Sequence, residues 1–265
     1  MLLFWVHNLK PYIFKIGTFE VRYYGLMYVL GFICFYYWMK YVMKKGNLKI
    51  TEKHLDTLFS GGILSLLIGA RLGYVLFYNL PWYLQNPLEI LKTWHGGMSF
   101  HGGAIAILLF VMWFARKNNI DFWQLIGEFT TIAPVGLLFG RIGNFINGEL
   151  WGRPTDIPWA VIFPGSGGIP RHPSQLYEAL VEGLLLFLFL FWLHRKGAAG
   201  HVKLAAGLIF YGVGRFFIEF LREPDEQLGF LFFEWVTMGQ LLSLAMIAGG
   251  ITVLYLKKKP TVNPV

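Results

Sequence analysis

The chain has 265 residues, of which 55% are hydrophobic, 18% aromatic and only 14% charged, with a formal net charge of +8. Soluble domains carry about 25% charged residues, so this composition excludes an ordinary soluble domain, and its apolar content excludes a disordered chain. In a chain built for lipid the basic excess sets orientation by its position and is no mark of a nucleic-acid partner.

The N-terminal segment, residues 1–21, starts apolar but has no basic leader and no small-residue cleavage site, so it is expected to lie as an arm along the membrane interface. Seven apolar windows near the roughly 20-residue spanning length follow, at about 22–42, 58–79, 97–115, 123–140, 176–194, 203–221 and 236–256. The expectation is an all-α, polytopic integral membrane protein: seven transmembrane helices in one membrane domain, 1–265, with a small outward-facing head. Lys40, Lys44, Lys45, Lys49, Lys53, Arg116, Lys117, Arg195, Lys196, Lys203, Lys257, Lys258 and Lys259 all fall on one side of such a bundle. Positive charge marks the cytoplasmic side, so the N-terminus is expected outside and the C-terminus in the cytoplasm. Residues 81–97, with Trp82, Tyr83 and Trp94, then form an outer interfacial arm, and residues 141–177 an outer head between spans four and five. No internal repeat of the kind found in many secondary transporters is visible.

Cys34 lies among Phe32, Phe35 and Tyr36 and reads as a small buried hydrophobe. The seven histidines form no HExxH or cysteine-paired pattern, so no metal site is expected. Charges inside spans are costly and need a reason, which singles out Arg71, Glu128, Arg215 and Glu219. Tyr211, Arg215, Glu219 and Arg222 follow at spacings of four, four and three, placing them on one helix face. That face is either a tie between helices through an Arg215–Glu219 pair or a site for a lipid phosphate. Arg71 sits in GARLGYVLFYN, where Gly69 and Gly73 allow close helix contact, and could equally snorkel from a packing seam. Glu128 receives no chemical role.

His101 lies between glycine pairs in GGMSFHGG, placed either to accept a proton near neutral pH or simply to pack. The block GRIGNFINGELWGR, 140–153, is costly as mere packing. Arg141 offers a planar fork for phosphate oxygens, Asn144 and Asn147 can donate to ester or phosphate oxygens, and the glycines admit backbone amides to an anion. In RHPSQLYE, 171–178, Ser174 and Glu178 can cap the fifth helix, and capping could be their whole role.

These blocks, together with YYGLMY at 23–28 and the pattern from Tyr211 to Asp225, run in order across nearly the whole chain and closely resemble the prolipoprotein diacylglyceryl transferases. The resemblance implies an inner-membrane enzyme of bacteria that moves diacylglyceryl from phosphatidylglycerol to the lipobox cysteine of a prolipoprotein, without a cofactor. It implies that His101, Arg141 and Arg215 are catalytic. It places Arg141, Asn144, Glu149, Gly152, Tyr24, Tyr211, Glu219 and Arg222 among the substrate-binding positions. The family pattern tends to carry Asp where this chain has Gly127 and Glu128, and the 153–171 connection is short. A lipid or anion transporter is the rival from another class, and a phosphoglycerol transferase the rival reaction.

Overall fold

The computed structural model describes residues 4–17, 19–93, 96–224, 229–231 and 235–258, the side chains of Phe19, Phe100, His101 and Lys258 excepted. Trp94, Asp225 and Lys259, named above, lie outside the described residues. Every expected apolar window is occupied by a helix: α1 Tyr23–Lys44, α2 Glu52–Tyr78, α4 Phe100–Lys117, α5 Phe122–Asn147, a run from Ser174 to Arg195, α8 Gly200–Ile218 and α9 Met238–Lys258. The short α3, Leu80–Gln85, and a 3-10 turn, Pro87–Leu91, follow α2. The Ser174–Arg195 run consists of α6, Ser174–Glu178, a π-helical stretch, Ala179–Leu185, and α7, Leu186–Arg195. Six of the described helices are long and apolar enough to cross a membrane, which makes this a polytopic membrane protein. The 18-residue α4 stands outside those six.

Two small sheets interrupt the expected all-α pattern. Strands β2, Tyr12–Ile16, and β3, Phe19–Arg22, form an antiparallel hairpin within the N-terminal arm. Strand β1, Trp5–Val6, pairs in parallel with β4, Val161–Ile162, which pairs antiparallel with β5, Pro170–Arg171. Strands of two to five residues are too short to carry a period-two signal, so the sequence leaves them unread.

The chain divides into two compact units, one of residues 36–126 and one of residues 1–35 and 127–265. In the first, α2 and α4 meet through small residues. A Cβ on Gly69 would lie 2.2 Å from Cβ of Ala106, and one on Gly73 2.7 Å from Cα of Gly102. The Gly69/Gly73 pair is thus a packing seam, as its spacing suggested. Arg71 does not snorkel. Its guanidinium is buried and donates to the carbonyls of Glu89 at 2.5 Å, Ile90 at 2.9 Å, Lys92 at 3.2 Å, Gly96 at 2.5 Å and Gly97 at 3.0 Å. It is the anchor of the 81–97 arm, because five carbonyl dipoles use up the five N–H groups an arginine owns.

In the second unit, Glu128 acquires the role its sequence left open. Its carboxylate accepts Lys203 Nζ at 2.5 Å and sits 3.2 Å from His194 Nδ1, all three side chains buried. Lys203, counted among the charges of the cytoplasmic side, is also the partner of this buried carboxylate. Beside it the backbones of α5 and α8 touch, since a Cβ on Gly127 would lie 2.4 Å from Cα of Gly200. The triad thus ties the start of α5 to the end of α7 and the start of α8. Replacing Lys203 with Met should strand a buried carboxylate and cost about 3–5 kcal/mol, whereas Glu128→Gln with Lys203→Met should cost clearly less than the two single changes added. Denaturant unfolding of the detergent-solubilised variants measures this, and additive losses would rule the coupling out.

Candidate active site

The site is built at the end of α5, at the start of the Ser174–Arg195 run and at the end of α8. Arg141, in the last two turns of α5, places Nη2 2.7 Å from Glu178 Oε2. Arg215, near the end of α8, places Nη1 2.6 Å from that same oxygen. One carboxylate oxygen therefore holds two guanidinium groups from two different helices. Arg215 Nη2 also lies 3.0 Å from Glu219 Oε2, and its Nη1 3.6 Å from Glu182 Oε1. Glu178 and Glu182 have no solvent exposure, and Glu219 is 4% exposed. Thr237, ahead of α9, donates its hydroxyl to Glu219 Oε1 at 3.1 Å. The first turn of α9 closes on the same carboxylate, for a Cβ on Gly239 would lie 2.6 Å from Cδ of Glu219. Tyr211, one turn before Arg215, is half-buried in the field of Glu182, Arg215, Arg141 and Glu178.

The Arg215–Glu219 pair anticipated from the spacing is present, yet it is a corner of a larger network. The helix is regular through Ile218, and the amides of Glu219 and Arg222 still bond to the carbonyls of Arg215 and Ile218. Arg222 then leaves the helical face to form an antiparallel bridge with Gly152.

The 140–153 block folds differently from its expected role. Asn144 and Asn147, in the last turn of α5, each donate a side-chain N–H to Glu149 Oε1, at 2.9 and 3.0 Å, so they hold the loop that follows. Gln175 Nε2 holds the Glu149 carbonyl at 2.6 Å, and the Ser174 hydroxyl donates to the Leu150 carbonyl at 3.2 Å. The turn is made by Gly148 at φ 68° and Leu150 at φ 57°, the latter a conformation that a branched side chain rarely tolerates. Ser174 and Gln175 thus fasten the loop, and Ser174 does not cap the helix, whose N-cap is Pro173.

Gly152 is the tightest point. Its amide donates to the His172 carbonyl at 2.8 Å, and the Arg153 amide donates to the Leu221 carbonyl at 2.9 Å. A Cβ at Gly152 would meet the Leu221 carbonyl oxygen at 2.4 Å and His172 Cβ at 2.7 Å, so any other residue would force these neighbours to shift. Arg153 Nε donates to the Arg222 carbonyl at 2.9 Å, and Arg171 Nη1 to the Gly152 carbonyl at 3.2 Å and to Glu223 at 3.0 Å. Burial holds the His172 ring below the usual histidine range, leaving it neutral at pH 7. With Trp159 Nε1 donating to the Tyr177 hydroxyl at 2.8 Å, that hydroxyl is free to donate to His172 Nδ1 at 3.3 Å.

Tyr24, at the start of α1, lies against α5: a Cβ on Gly143 would sit 2.9 Å from its ring. Its hydroxyl is 3.0 Å from that of Tyr28, and Glu149 and Arg141 are its charged neighbours. His101 belongs to the other compact unit, in the first turn of α4, and its side chain lies outside the described residues. The structure therefore gathers Arg141, Arg215, Glu219 and Tyr211 around Glu178, ties Asn144 in the last turn of α5 to Glu149 in the loop that follows, and joins Gly152 to Arg222. Sequence reasoning missed Glu182, Thr237, Gly239 and the bridging role of Glu178. Only the recurrence of Glu at 178 and 182, four apart in an apolar span, could have hinted at it.

The family model described as prolipoprotein diacylglyceryl transferase matches residues 11–256. The chain belongs to that family. It is 47% identical to the phosphatidylglycerol–prolipoprotein diacylglyceryl transferase of Geobacter sulfurreducens over 97% of this chain and 98% of the relative. The transferase of that name from Desulfotalea psychrophila is also 47% identical, over 96% of both chains. That of Aliivibrio salmonicida is 46% identical over 92% of this chain and 86% of its own.

The bridge at Gly152 generates a direct test. Gly152→Ala must push the Leu221 carbonyl and the His172 backbone apart, a strain of about 1–3 kcal/mol. Transferase activity should fall about tenfold or more while the helical circular dichroism is kept. Full activity in Gly152→Ala would show that the bridge does not position the site.

Proposed function

We propose that this protein transfers the diacylglyceryl group of phosphatidylglycerol to the lipobox cysteine of a prolipoprotein, making a thioether and releasing glycerol phosphate. The observation that carries this reading is the convergence of Arg141 and Arg215 on one buried carboxylate oxygen at the end of apolar helices. Two guanidiniums that point their N–H groups at a single anionic oxygen form a seat that a phosphodiester oxygen can take over in turn. The acceptor thiol attacks the glycerol carbon that bears the phosphodiester oxygen. As that bond breaks, charge grows on the phosphate, and the arginines stabilise it more in the transition state than in the ground state. A free thiol with a pKa near 8.5 is mostly protonated at neutral pH, so its proton needs an acceptor, a role we assign to His101 or to a carboxylate released by the arginines.

In this reading Asn144 and Glu149 shape the loop over the lipid head group, Gly152 and Arg222 close it, and Tyr24, Tyr211 and Glu219 line or support the lipid site. The protein lies in the bacterial inner membrane with seven spans, α4 being the seventh, and no cofactor takes part. The N-terminal arm and the 81–97 arm lie along the outer interface, the 141–177 head faces outward, and the C-terminus is cytoplasmic. The orientation is supported by Lys44 and Lys45 at the end of α1, Arg116 and Lys117 at the end of α4, Arg195 and Lys196 at the end of α7, and the lysines that close α9. A cysteine introduced at Gly167 should then react with a membrane-impermeant thiol reagent in intact cells while one at Gly197 should not, and the opposite pattern would reverse the topology.

The reaction is tested with purified protein, phosphatidylglycerol and a lipobox peptide. The peptide should gain the mass of a diacylglyceryl group. Donor carrying heavy oxygen at the diacylglycerol-side bridge should deliver the label to glycerol phosphate, because carbon, not phosphorus, is attacked. Label on free diacylglycerol would mean phosphoryl transfer, and lipid movement without either product would mean a transporter.

A further inference from the structure

Five charged side chains are packed together in the site: Arg141 and Arg215 against Glu178, Glu182 and Glu219. Arginine keeps its proton in proteins, so two fixed positive charges face three carboxyl groups. With all three ionised, the cluster would hold an uncompensated negative charge where water does not reach, a strongly disfavoured state. One carboxyl is therefore protonated at rest. Glu178 receives both arginines at 2.7 and 2.6 Å, and Glu219 receives Arg215 at 3.0 Å and the Thr237 hydroxyl at 3.1 Å. Glu182 is different. It is wholly buried, its nearest cation is Arg215 at 3.6 Å, and among the described residues no hydrogen bond reaches either of its oxygens.

The charged and titratable groups facing Glu182 are Glu178 on its own helix, Arg215 and Tyr211 on α8, and Arg141 on α5. Its backbone is locally unusual as well, for it lies within the π-helical stretch Ala179–Leu185, a geometry that recurs at functional sites. The stretch is pinned against α5 by Gly183, whose Cβ would lie 2.8 Å from Cα of Leu138. An acid with free oxygens is thus held beside the arginine that would carry the phosphate.

We propose that Glu182 is a neutral carboxylic acid in the resting protein and is the general acid that protonates the departing phosphate, an inference that rests on the transfer reaction proposed above. The sulfur electron pair forms the C–S bond, and the C–O bond breaks with its pair left on the bridging oxygen, which takes the proton of Glu182. The thiol proton is taken by Glu178, freed as its two arginines turn to the phosphate, and passes to Glu182 four residues on. One S–H and one C–O bond are exchanged for one C–S and one O–H bond, with no net uptake of protons. Glycerol phosphate leaves carrying the proton, and the buried cluster returns to its starting charge.

The test uses the full-length protein with two donors, phosphatidylglycerol and an analogue whose bridging oxygen is replaced by sulfur, a leaving group that needs no proton. Glu182→Gln keeps the size and neutrality of the acid but cannot give up a proton. With phosphatidylglycerol its kcat should fall about 100-fold with little change in KM, and the loss of wild-type kcat at high pH, where the acid is deprotonated, should disappear. With the sulfur-bridged donor it should match the wild type. Unchanged turnover of phosphatidylglycerol, or an equal loss with both donors, would overturn the proton role. If Glu182→Gln does not accumulate, the infrared spectrum of the wild type decides. A carbonyl band of a buried protonated carboxyl that shifts on carbon-13 labelling of glutamate is expected, and its absence at neutral pH would overturn the proposal. Wild-type protein that makes no thioether from either donor would refute the transferase reading itself, whereas thioether formed equally well by Glu182→Gln refutes only the proton role.

Discussion

A single oxygen of Glu178 receives both Arg141 and Arg215, and the site depends on that contact. Each arginine alone would be a charge buried in an apolar helix, a position that costs at least about 2.5 kcal/mol at the centre of a bilayer. The carboxylate removes most of that penalty for both at once and fixes their separation, because both must reach the same atom. Each fork meets that oxygen through one nitrogen, Nη2 of Arg141 and Nη1 of Arg215. A tighter bidentate pair would hold the arginines more firmly but would close them to any other anion. The arrangement is compatible with the exchange of carboxylate for phosphate that the proposed reaction requires.

The protein holds buried cations in a second way, and the contrast is instructive. Arg71 meets carbonyl dipoles rather than a carboxylate, five of them, all contributed by the segment 89–97. Its donors are used up, so it organises a chain segment and has none left for an anion. Lys203 lies between these extremes, with its point charge on Glu128 and its role confined to holding three helix ends. Charge inside the bundle is thus divided between cations fixed for architecture and the pair on Glu178, to which the proposed reaction assigns the phosphate.

Where charges converge, the backbones must come close, and glycine makes this possible. Gly127 against Gly200 lets α5 and α8 start together beside the Glu128 triad, Gly183 sets the π-helical stretch on α5, and Gly239 brings α9 onto Glu219. Gly152 lets the loop after α5 pair with Arg222 beyond α8. Each of these contacts lies within a few residues of a buried charge, as expected when an ion pair shortens the distance between helices and no side chain can be accommodated in the gap.

The residues alone determine the helices and their order, because roughly 20 apolar residues in a row have few folded alternatives in lipid. They also mark the costly polar positions, and the motifs around Arg141, Gly152 and Arg215 identify the family. The alliances among those residues are not written in the sequence. Asn144 and Asn147 read as donors for a ligand but are committed to Glu149, and Glu178 read as a helix-capping charge but bridges two arginines. The short sheets and the placement of Glu182 were equally hidden. Periodicity reports which face of one helix is polar, whereas an ion pair is decided by which faces of different helices meet. That depends on contacts such as Glu178 with Arg215, 37 residues apart, and Glu128 with Lys203, 75 apart, which only the tertiary structure brings together.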